Sequence, residues 1–327
     1  MTITRRGLAA LAGFGIAPAA VAQQQDFPRQ PVRMVVPFAP GGATDIVARI
    51  LAPGMQDAFG GKPVIVDNRG GAAGRLGAEA VINAPADGHT ITLFTITNAV
   101  LNAGLLHDAR LDPRHAFAPV SLVVTMPMVL TVGNHVPART LQDFVALMKQ
   151  RPGRLTYGSS GAGSFNHLGA HLFNLRSDTT AEHIPYRDAG QVYADMIAGN
   201  VDWLVEGIAS QAPHVQSGSI RALAVLGRER SPLMPDVPTA IEQGFPDFEV
   251  VNFMGIFVAK STPAPLVGRL EESVRAAVGK DAVARRLREV GTEPAGTTAE
   301  EFQVFWQAQL ALWLPVVEAS GLLDAWL

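Results

Sequence analysis

The amino-acid sequence predicts an α/β fold with two lobes, each a mixed sheet flanked by helices. Strand-like and helix-like segments alternate along almost the whole chain of 327 residues, which is typical of such sheets. Two long β-like segments, 120–132 and 248–259, bracket a middle block of this alternation. We therefore expect lobe 1 at 23–124 and 253–327 and lobe 2 at 125–252, with two crossing strands as a hinge.

The first lobe opens with five elements. Strand, helix, strand, helix and strand are predicted in that order at 32–38, 44–59, 62–68, 70–84 and 89–96. The first strand is a buried apolar run, and the helix behind it is amphipathic. Pro53 and Gly54 lie inside this helix and predict a kink or a break, because proline removes a backbone donor.

The second lobe continues the alternation after the first crossing strand. Helices are predicted at 141–150, 165–175 and 191–198, and a further short helix ends at 216. Strands are predicted at 154–161, 181–186, 201–207 and 220–227. Thr140 is the expected N-cap of the first of these helices. Beyond the second crossing strand the tail is helical. There Thr262 followed by Pro263 predicts a helix start, with Thr262 as N-cap and Pro263 as the first helical residue. Thr298 with Glu301 predicts a capping box for the last helix.

Residues 1–22 are expected to be a signal peptide. Arg5 and Arg6 precede a short apolar segment that ends in Ala20-Val21-Ala22, an A-x-A cleavage pattern. The segment is too short for a stable membrane anchor, which needs about 20 apolar residues, so we expect cleavage near Gln23 and a soluble exported protein. The paired arginines fit a twin-arginine signal, and an ordinary secretory signal fits equally well.

The composition excludes several classes of function. The sequence has no cysteine, which excludes disulfides, cysteine nucleophiles and thiolate metal sites. Two of the 26 basic side chains belong to the predicted signal peptide, so 24 face 29 acidic ones and the mature chain carries about −5. This balance argues against a nucleic-acid partner, which needs a basic surface. The uncharged stretch 303–317 contains glutamines and Pro315 and predicts a packed helix.

A glycine-rich turn follows the first predicted strand, in the stretch PFAPGGATDIVAR at 37–49. Gly41 and Gly42 permit close approach of a ligand, and Thr44 can cap the helix that follows. A helix N-terminus has unpaired N–H groups and a partial positive charge, so it binds anions without a basic side chain. The P-loop lysine is absent, which argues against a nucleoside triphosphate. A tight turn without function is the alternative.

The stretch YGSSGAGSFNHLGAH at 157–171 repeats this design, with a strand, a Ser/Gly turn and a helix. Its serines add hydroxyl donors to the backbone amides, so two anion-binding loops in different lobes can hold the two ends of one ligand. The hydrolase pattern G-x-S-x-G fails at Ser159 and Ser160, which disfavours a serine nucleophile. His167 and His171 have a spacing compatible with zinc, but no further ligand motif accompanies them, and a surface or capping role is favoured.

Glu206 ends the predicted strand VDWLVE, on the side of the sheet where ligands bind in α/β folds. Its carboxylate can accept a hydrogen bond from a ligand hydroxyl, amine or protonated carboxyl. A solvated loop carboxylate is the alternative. The stretch RGGAAGRLGAEA has glycines at G-x-x-G-x-x-G spacing, so it fails the dinucleotide-binding fingerprint.

These stretches together resemble a known family. QPVRMVVPFAPGGATDIVARILA, KPVIVDNRGGAAGRLGAEAV, FAPVSLVV, RPGRLTYGSSGAGSFNHLGAHLF, HIPYRDAGQVYADMIAGNVDW and IRALAVLGRERSPLMPDVPTAIEQGFPDFE stand in the order found in Bug-type substrate-binding receptors of tripartite tricarboxylate transporters. The P-F-x-P-G-G-x-x-D start and the R-x-P-x-x-P-D-V-P-T segment are specific together. The resemblance covers nearly the whole mature chain.

The resemblance implies a non-enzymatic periplasmic binding protein of the type II-like, two-lobed fold, which closes on a small carboxylate and passes it to a membrane permease. It implies no cofactor and no metal, and we expect a monomer. By motif position, the resemblance places ligand contacts at Phe38, Gly41, Gly42, Ala43, Thr44, Asp45, Thr95, Asn98, Ser159, Ser160, Gly161 and Ser164. Glu206 and Gly207 stand where many members have Asp-Asn, so they are added as candidates and the ligand's identity is not carried over.

Two other functions stay open from the sequence. A sensory receptor would bind the same ligand but act on a membrane signalling partner. An exported serine hydrolase is less favoured and would use Ser160 with a base that the sequence does not identify.

Overall fold

The computed structural model describes residues 27–105, 108–186, 189–246 and 248–322. The predicted signal peptide and its cleavage site lie outside these ranges. Within them, no helix is both long and apolar enough to cross a membrane.

The predicted alternation of strands and helices is confirmed across the described ranges. The strands are β1 Val32–Val36, β2 Val64–Asn68, β3 Thr90–Thr95, β4 Phe117–Gly133, β5 Thr156–Ser159, β6 Glu182–Pro185, β7 Trp203–Gly207, β8 Ile220–Val225, β9 Val251–Ala259 and β10 Glu293–Pro294. The α-helices are α1 Ala43–Ala58, α2 Arg75–Ile82, α3 Asn102–Leu105, α4 Pro113–Ala116, α5 Leu141–Gln150, α6 Phe165–Ser177, α7 Ala189–Ala198, α8 Ile208–Gln216, α9 Ala264–Val278, α10 Asp281–Glu289 and α11 Ala299–Ala319.

The strands form one mixed sheet with flanking helices. Its order is β2-β1-β3-β9-β4-β7-β5-β6, and β8 and β10 also pair with β4. β1 pairs in parallel with β2 and β3, and β5 pairs in parallel with β6 and β7. The pairs that involve β4 or β9 are antiparallel, so the two parallel groups are separated by an antiparallel centre.

β4 joins the two halves of this sheet. Its Phe117–Pro127 part pairs with β9, and from Met128 onward it pairs with β7 and β8. We call β1, β2, β3, β9, β10 and the part of β4 up to Pro127 the first half of the sheet. The second half consists of β5, β6, β7, β8 and the rest of β4.

Each half has its own buried contacts. In the first half, Val47, Leu51 and Met55 lie one turn apart on α1 and are buried on the face that packs against the sheet. In the second half, Trp203 of β7 meets the rings of Phe144 and Phe173, with ring centroids 5.5 and 5.4 Å away. Burying such aliphatic and aromatic surface is the main source of stability in each half.

The C-terminal helix α11 contacts both halves. Trp306 donates its indole N–H to the carbonyl oxygen of Ala99, which follows β3, at 2.7 Å. About two turns further along α11, Trp313 packs against Phe165 of α6, with ring centroids 4.9 Å apart. The prediction of a packed terminal helix over 303–317 is therefore confirmed.

Two predicted helix caps are confirmed. Thr140 accepts the N–H of Asp143 at 3.0 Å, and Thr298 accepts the N–H of Glu301 at 3.1 Å, in each case within a capping box. The helix start predicted at Thr262 and Pro263 is confirmed, but Thr262 is not its N-cap. α9 begins at Ala264 with Pro263 as its N-cap residue, and Thr262 instead donates its N–H to Ala259 in a turn.

A break was one of the two effects predicted for Pro53 and Gly54, and it is wrong, because α1 runs without interruption from Ala43 to Ala58. The kink stays a prediction. Pro53 lies on the exposed side of α1, where water can satisfy the carbonyl that proline leaves unpaired. Gly54 lies on the opposite side against α9, where an added Cβ would be 2.8 Å from the Cβ of Ala277. The glycine therefore serves close helix packing.

Candidate ligand-binding site

A cavity of about 400 Å³ lies between the two halves of the sheet. Six of the residues predicted as ligand contacts line it: Phe38, Ala43, Thr44, Thr95, Glu206 and Gly207. The first four belong to the first half of the structure and the last two to the second, so the cavity has a wall from each half. No lysine, arginine or histidine lines it among the described residues.

The first wall contains the N-terminus of α1. Gly42 is the N-cap residue of this helix, so Thr44 lies inside the first turn and does not cap it. The N–H groups of a first helical turn have no acceptor within the helix, and the helix dipole adds a partial positive charge there. Ala43 and Thr44 bring this turn to the cavity surface.

A hydrogen bond between Gly41 and Asp45 closes the loop that precedes this turn. Gly41 has a φ of 83°, a conformation that favours glycine, and donates its N–H to Oδ2 of Asp45 at 2.9 Å. Arg49 donates to the same oxygen at 2.9 Å and holds the pKa of the Asp45 carboxyl below its usual value. Of the predicted contacts, Gly41, Gly42 and Asp45 thus belong to the loop next to the cavity, and the Gly41 N–H is already bonded.

Thr95 and Asn98 form one unit at the end of β3. Thr95 donates both its hydroxyl and its N–H to Oδ1 of Asn98, at 3.2 and 3.4 Å. Asn98 lies behind Thr95 and does not line the cavity. An added Cβ at Gly74 would come within 2.2 Å of Nδ2 of Asn98, so a glycine there leaves room for the amide.

Glu206 is the acidic residue of the second wall. It lies near the end of β7, opposite Val129 of β4. Its Oε1 accepts the N–H of Gly207 and its Oε2 accepts from Nδ2 of Asn166, both at 2.8 Å. Burial raises the pKa of the Glu206 carboxyl above its ordinary value, although the two hydrogen bonds act in the opposite direction.

The Ser/Gly loop does not line this cavity. Its polar groups bond to one another and to Asn166, whose Oδ1 accepts from the hydroxyls of Ser160 and Ser164 at 3.1 and 2.6 Å. Ser159 donates its hydroxyl to the carbonyl oxygen of Gly161 at 3.1 Å. The four predicted contacts in this loop are therefore connected to the cavity through Asn166 and Glu206.

A stacked pair of imidazoles supports the Ser/Gly loop. The rings of His167 and His183 lie 3.9 Å apart at an angle of 12°. His183 Nε2 lies 2.6 Å from the hydroxyl of the fully buried Ser159, and His167 Nδ1 accepts the N–H of Gly163 at 3.0 Å. Burial, then the charges of His183 and His171, lower the pKa of His167 to about 4.

This arrangement assigns His167 a buried capping role rather than a surface one. Among the described residues, no group of three or more histidine, aspartate or glutamate side chains could hold a metal ion. Ser159 is within hydrogen-bond distance of a histidine, as a serine nucleophile would be, but its hydroxyl is buried and bonded to its own loop.

Several lining residues were missed by the sequence reasoning. Met126, Met128 and Met254 provide polarisable apolar surface that adapts to ligand shape. Asn252 also lines the cavity, and its signal was the one polar side chain in the apolar run 250–259. For Asn166 the signal was an amide side chain in the first helical turn after the Ser/Gly loop, and the structure adds that it is buried.

The two walls touch at the rim of the cavity. Gly291 follows α10 on the side of the first half, and an added Cβ there would lie 2.2 Å from the Cβ of Ala209 in α8. Both residues line the cavity. The halves are therefore already close, and only a residue without a side chain fits at this contact.

Comparison with known proteins supports one family. The model of the tripartite tricarboxylate transporter family receptor matches residues 47–322. The chain is 33% identical over 326 residues to Protein BugT of Bordetella pertussis, covering 98% of this chain and 99% of that protein.

Solved structures agree with this match. An R. palustris protein solved with adipate is 31% identical, with a TM-score of 0.73 over 90% of this chain and 99% of that one. MatC from Rhodopseudomonas palustris with bound malate is 30% identical, with a TM-score of 0.71 over 89% and 100%. The structure of the periplasmic binding protein BugD is 30% identical, with a TM-score of 0.69 over 90% of this chain and 99% of that one. The matched family is a family of substrate-binding receptors rather than of enzymes. The chain therefore belongs to the receptor family of tripartite tricarboxylate transporters, a family of periplasmic solute-binding proteins.

Proposed function

We propose that this protein binds a small organic carboxylate in the cavity between its two halves and delivers it to the membrane permease of a tripartite tricarboxylate transporter. The observation that carries the proposal is the first turn of α1 at Ala43 and Thr44, exposed to a cavity that no basic side chain lines among the described residues. Adipate and malate in the two R. palustris structures support the choice of a carboxylate.

The ligand's carboxylate is held by backbone N–H groups rather than by an ion pair. The first turn of a helix supplies both the donors and the favourable dipole. Thr44, Thr95 and Thr97 add hydroxyl groups to the same wall. A clamp by Arg187, which lies outside the described residues, is the competing explanation.

Closure between lobes would complete the binding. We place the lobes at 23–124 with 253–327 and at 125–252, and the change of pairing partner along β4 after Pro127 supports a boundary in this region. Ligand binding favours the closed form only if the ligand contacts both walls, and residues of both walls line the cavity. The export signal, the monomeric state and the permease partner belong to the same proposal.

The test compares two substitutions of one residue. Ala43 is the first residue of α1, a position that tolerates proline, and Gly42 before it has a φ of −77° and a ψ of 168°, the extended conformation that a residue before proline adopts. Ala43→Pro removes one N–H of the turn that lines the cavity, whereas Ala43→Ser keeps it. With a panel of carboxylates that includes malate and adipate, calorimetry should show much weaker binding for Ala43→Pro than for Ala43→Ser or Arg187→Gln.

Two results would contradict the proposal. Loss of binding in Arg187→Gln alone would establish a salt-bridge clamp, and absence of heat and of compaction with every carboxylate would remove the receptor function. Crosslinking of the ligand-bound protein should capture a permease; capture of a kinase ectodomain would favour a sensory receptor.

A further inference from the structure

A second groove lies behind the strands that border the ligand cavity. Its volume is about 750 Å³, and we call it the hinge groove. Met126 and Met128 of β4 line the ligand cavity, whereas Thr125 and Pro127, which alternate with them, line the hinge groove. Successive side chains of a strand point to opposite faces, so the two cavities lie on opposite sides of β4 at the point where it changes partners.

Strand β9 shows the same alternation. Asn252 pairs with Met126 and lines the ligand cavity, and Val251 pairs with Pro127 and lines the hinge groove. The two crossing strands therefore separate the ligand cavity from the hinge groove.

The first wall of the hinge groove is a face of α11. Val304, Phe305 and Ala308 line the groove from this helix. The rings of Phe305 and Phe253 meet with centroids 5.3 Å apart, and Phe253 belongs to β9. This part of α11 is thus packed on the first half of the sheet.

The second wall is the segment 227–232, which follows β8. Leu226, directly before it, donates its N–H to the carbonyl oxygen of Met128 at 2.8 Å, and Arg230 donates to Glu242 at 3.0 Å. These partners lie within 125–252, the range that we assign to lobe 2. Each wall of the hinge groove therefore moves with its own half of the structure.

Cavities on opposite sides of a hinge change width in opposite directions. In this structure the halves touch at Gly291 and Ala209 on the rim of the ligand cavity, and the hinge groove is wide, with Val304 64% exposed. Separation of the halves at the rim would bring the segment 227–232 towards α11 and cover Val304 and Phe305. Because covering apolar surface is favourable, this contact would stabilise the form in which the ligand cavity is open.

We infer that the hinge groove holds the ligand-free receptor open, so that residues on its walls set the ligand affinity without touching the ligand. The inference rests on the proposed function, because it assumes that the two halves close around a ligand. A receptor that is mostly open binds its ligand with an affinity reduced by the closed fraction. Weakening the contact across the hinge groove therefore raises the closed fraction and tightens binding.

Two substitutions on α11 test this inference. Val304→Ala removes apolar surface that is covered only in the open form, and Ala308→Trp fills the hinge groove so that its walls cannot approach. Gln307→Trp is the matched control, because Gln307 is exposed on the same helix and does not line the groove. We would measure binding of the carboxylate panel by calorimetry and the radius of gyration of each ligand-free protein by small-angle X-ray scattering.

Both test variants should bind the ligand more tightly than the wild type. The expected gain is about tenfold for Ala308→Trp and about threefold for Val304→Ala, and the affinity of Gln307→Trp should be unchanged. Ligand-free Ala308→Trp should also have a smaller radius of gyration than the ligand-free wild type. One substitution adds bulk and the other removes it, so a gain in both indicates a destabilised open form.

The failures of the inference and of the proposed function are distinguishable. If the wild type binds a carboxylate but Ala308→Trp binds it no more tightly than Gln307→Trp does, or has the same radius of gyration without ligand, the inference is overturned and the proposed function stands. If no carboxylate binds to any of the four proteins, the proposed function falls together with the inference. Melting temperatures establish that each variant is folded, and Val304→Ala decides the inference by the same comparison if Ala308→Trp does not fold.

Discussion

The contact between Gly291 and Ala209 allows closure of the cavity to be tested by one methyl group. Gly291→Ala would place a Cβ 2.2 Å from the Cβ of Ala209, whereas carbon atoms pack at about 3.5–4.0 Å. The two residues belong to different halves of the structure, so the clash exists only when the halves are as close as they are here. The substitution should therefore weaken ligand binding more than it weakens folding.

The expected loss of ligand affinity follows from this clash. Overpacking by one methyl group costs about 1–3 kcal/mol, which corresponds to roughly 5- to 150-fold in affinity. Gly291 also has a φ of 78°, where alanine costs about 1–2 kcal/mol in the open and closed forms alike. That second cost lowers the free energy of unfolding but cancels in the affinity.

A double-mutant cycle separates the two costs. In Ala209→Gly with Gly291→Ala, the nearest atom to the new Cβ is the Cα of Ala209 at 3.5 Å, an ordinary contact. The double variant should therefore recover most of the affinity lost by Gly291→Ala, and Ala209→Gly alone should bind like the wild type. Calorimetry with the tightest carboxylate of the panel measures all four proteins. Equal losses in the single and double variants would refute the rim contact as part of the closed state.

Three further predictions concern stability. Gly54→Ala should lower the free energy of unfolding by about 1–3 kcal/mol, because the new Cβ would lie 2.8 Å from that of Ala277. The matched control is Gly268→Ala on the open surface of α9, which should raise the free energy of unfolding by up to about 1 kcal/mol. Urea titrations that show equal changes for the two variants would contradict this prediction. Asn166→Ala leaves the loop hydroxyls and Glu206 without a shared partner, so it should cost about 1–3 kcal/mol, and a variant with unchanged urea midpoint would contradict the linking role. Burial lowers the pKa of His167 to about 4 from 6.5, so the unfolded chain takes up the proton first as the pH falls. The free energy of unfolding should therefore fall by at most about 3 kcal/mol between about pH 6.5 and about pH 4. A flat profile over that range, or one that His167→Gln leaves unaltered, would contradict this prediction.

Most of the local structure of this protein could be predicted from the sequence. Apolar runs and helical periodicity are local properties, so the order of strands and helices and the capping boxes at Thr140 and Thr298 could be predicted. The Thr-Pro pattern located the start of α9 but placed its N-cap one residue too early, because the exact end of a helix depends on the surrounding backbone.

The site was predictable only in part, since its geometry depends on how the two halves meet. The sequence indicated both glycine-rich loops, but Ser160 and Ser164 of the second loop bond to Asn166, Ser159 bonds to Gly161, and none of the three lines the cavity. Met126 and Met128 occupy a predicted strand, and no sequence pattern indicates that this strand borders a cavity. Which residues a side chain contacts across the sheet depends on the tertiary structure.

The position of Pro127 gives the cavity a mechanical asymmetry. This residue has no N–H for the sheet and stands where β4 changes partners, and Met126 and Met128 on either side of it line the cavity. A rotation about this point would move atoms near it least and atoms at the rim most. A ligand resting against the methionines would stay nearly still while Gly291 and Ala209 travel, so a pair of probes at the rim would report binding that a probe beside β4 would not register.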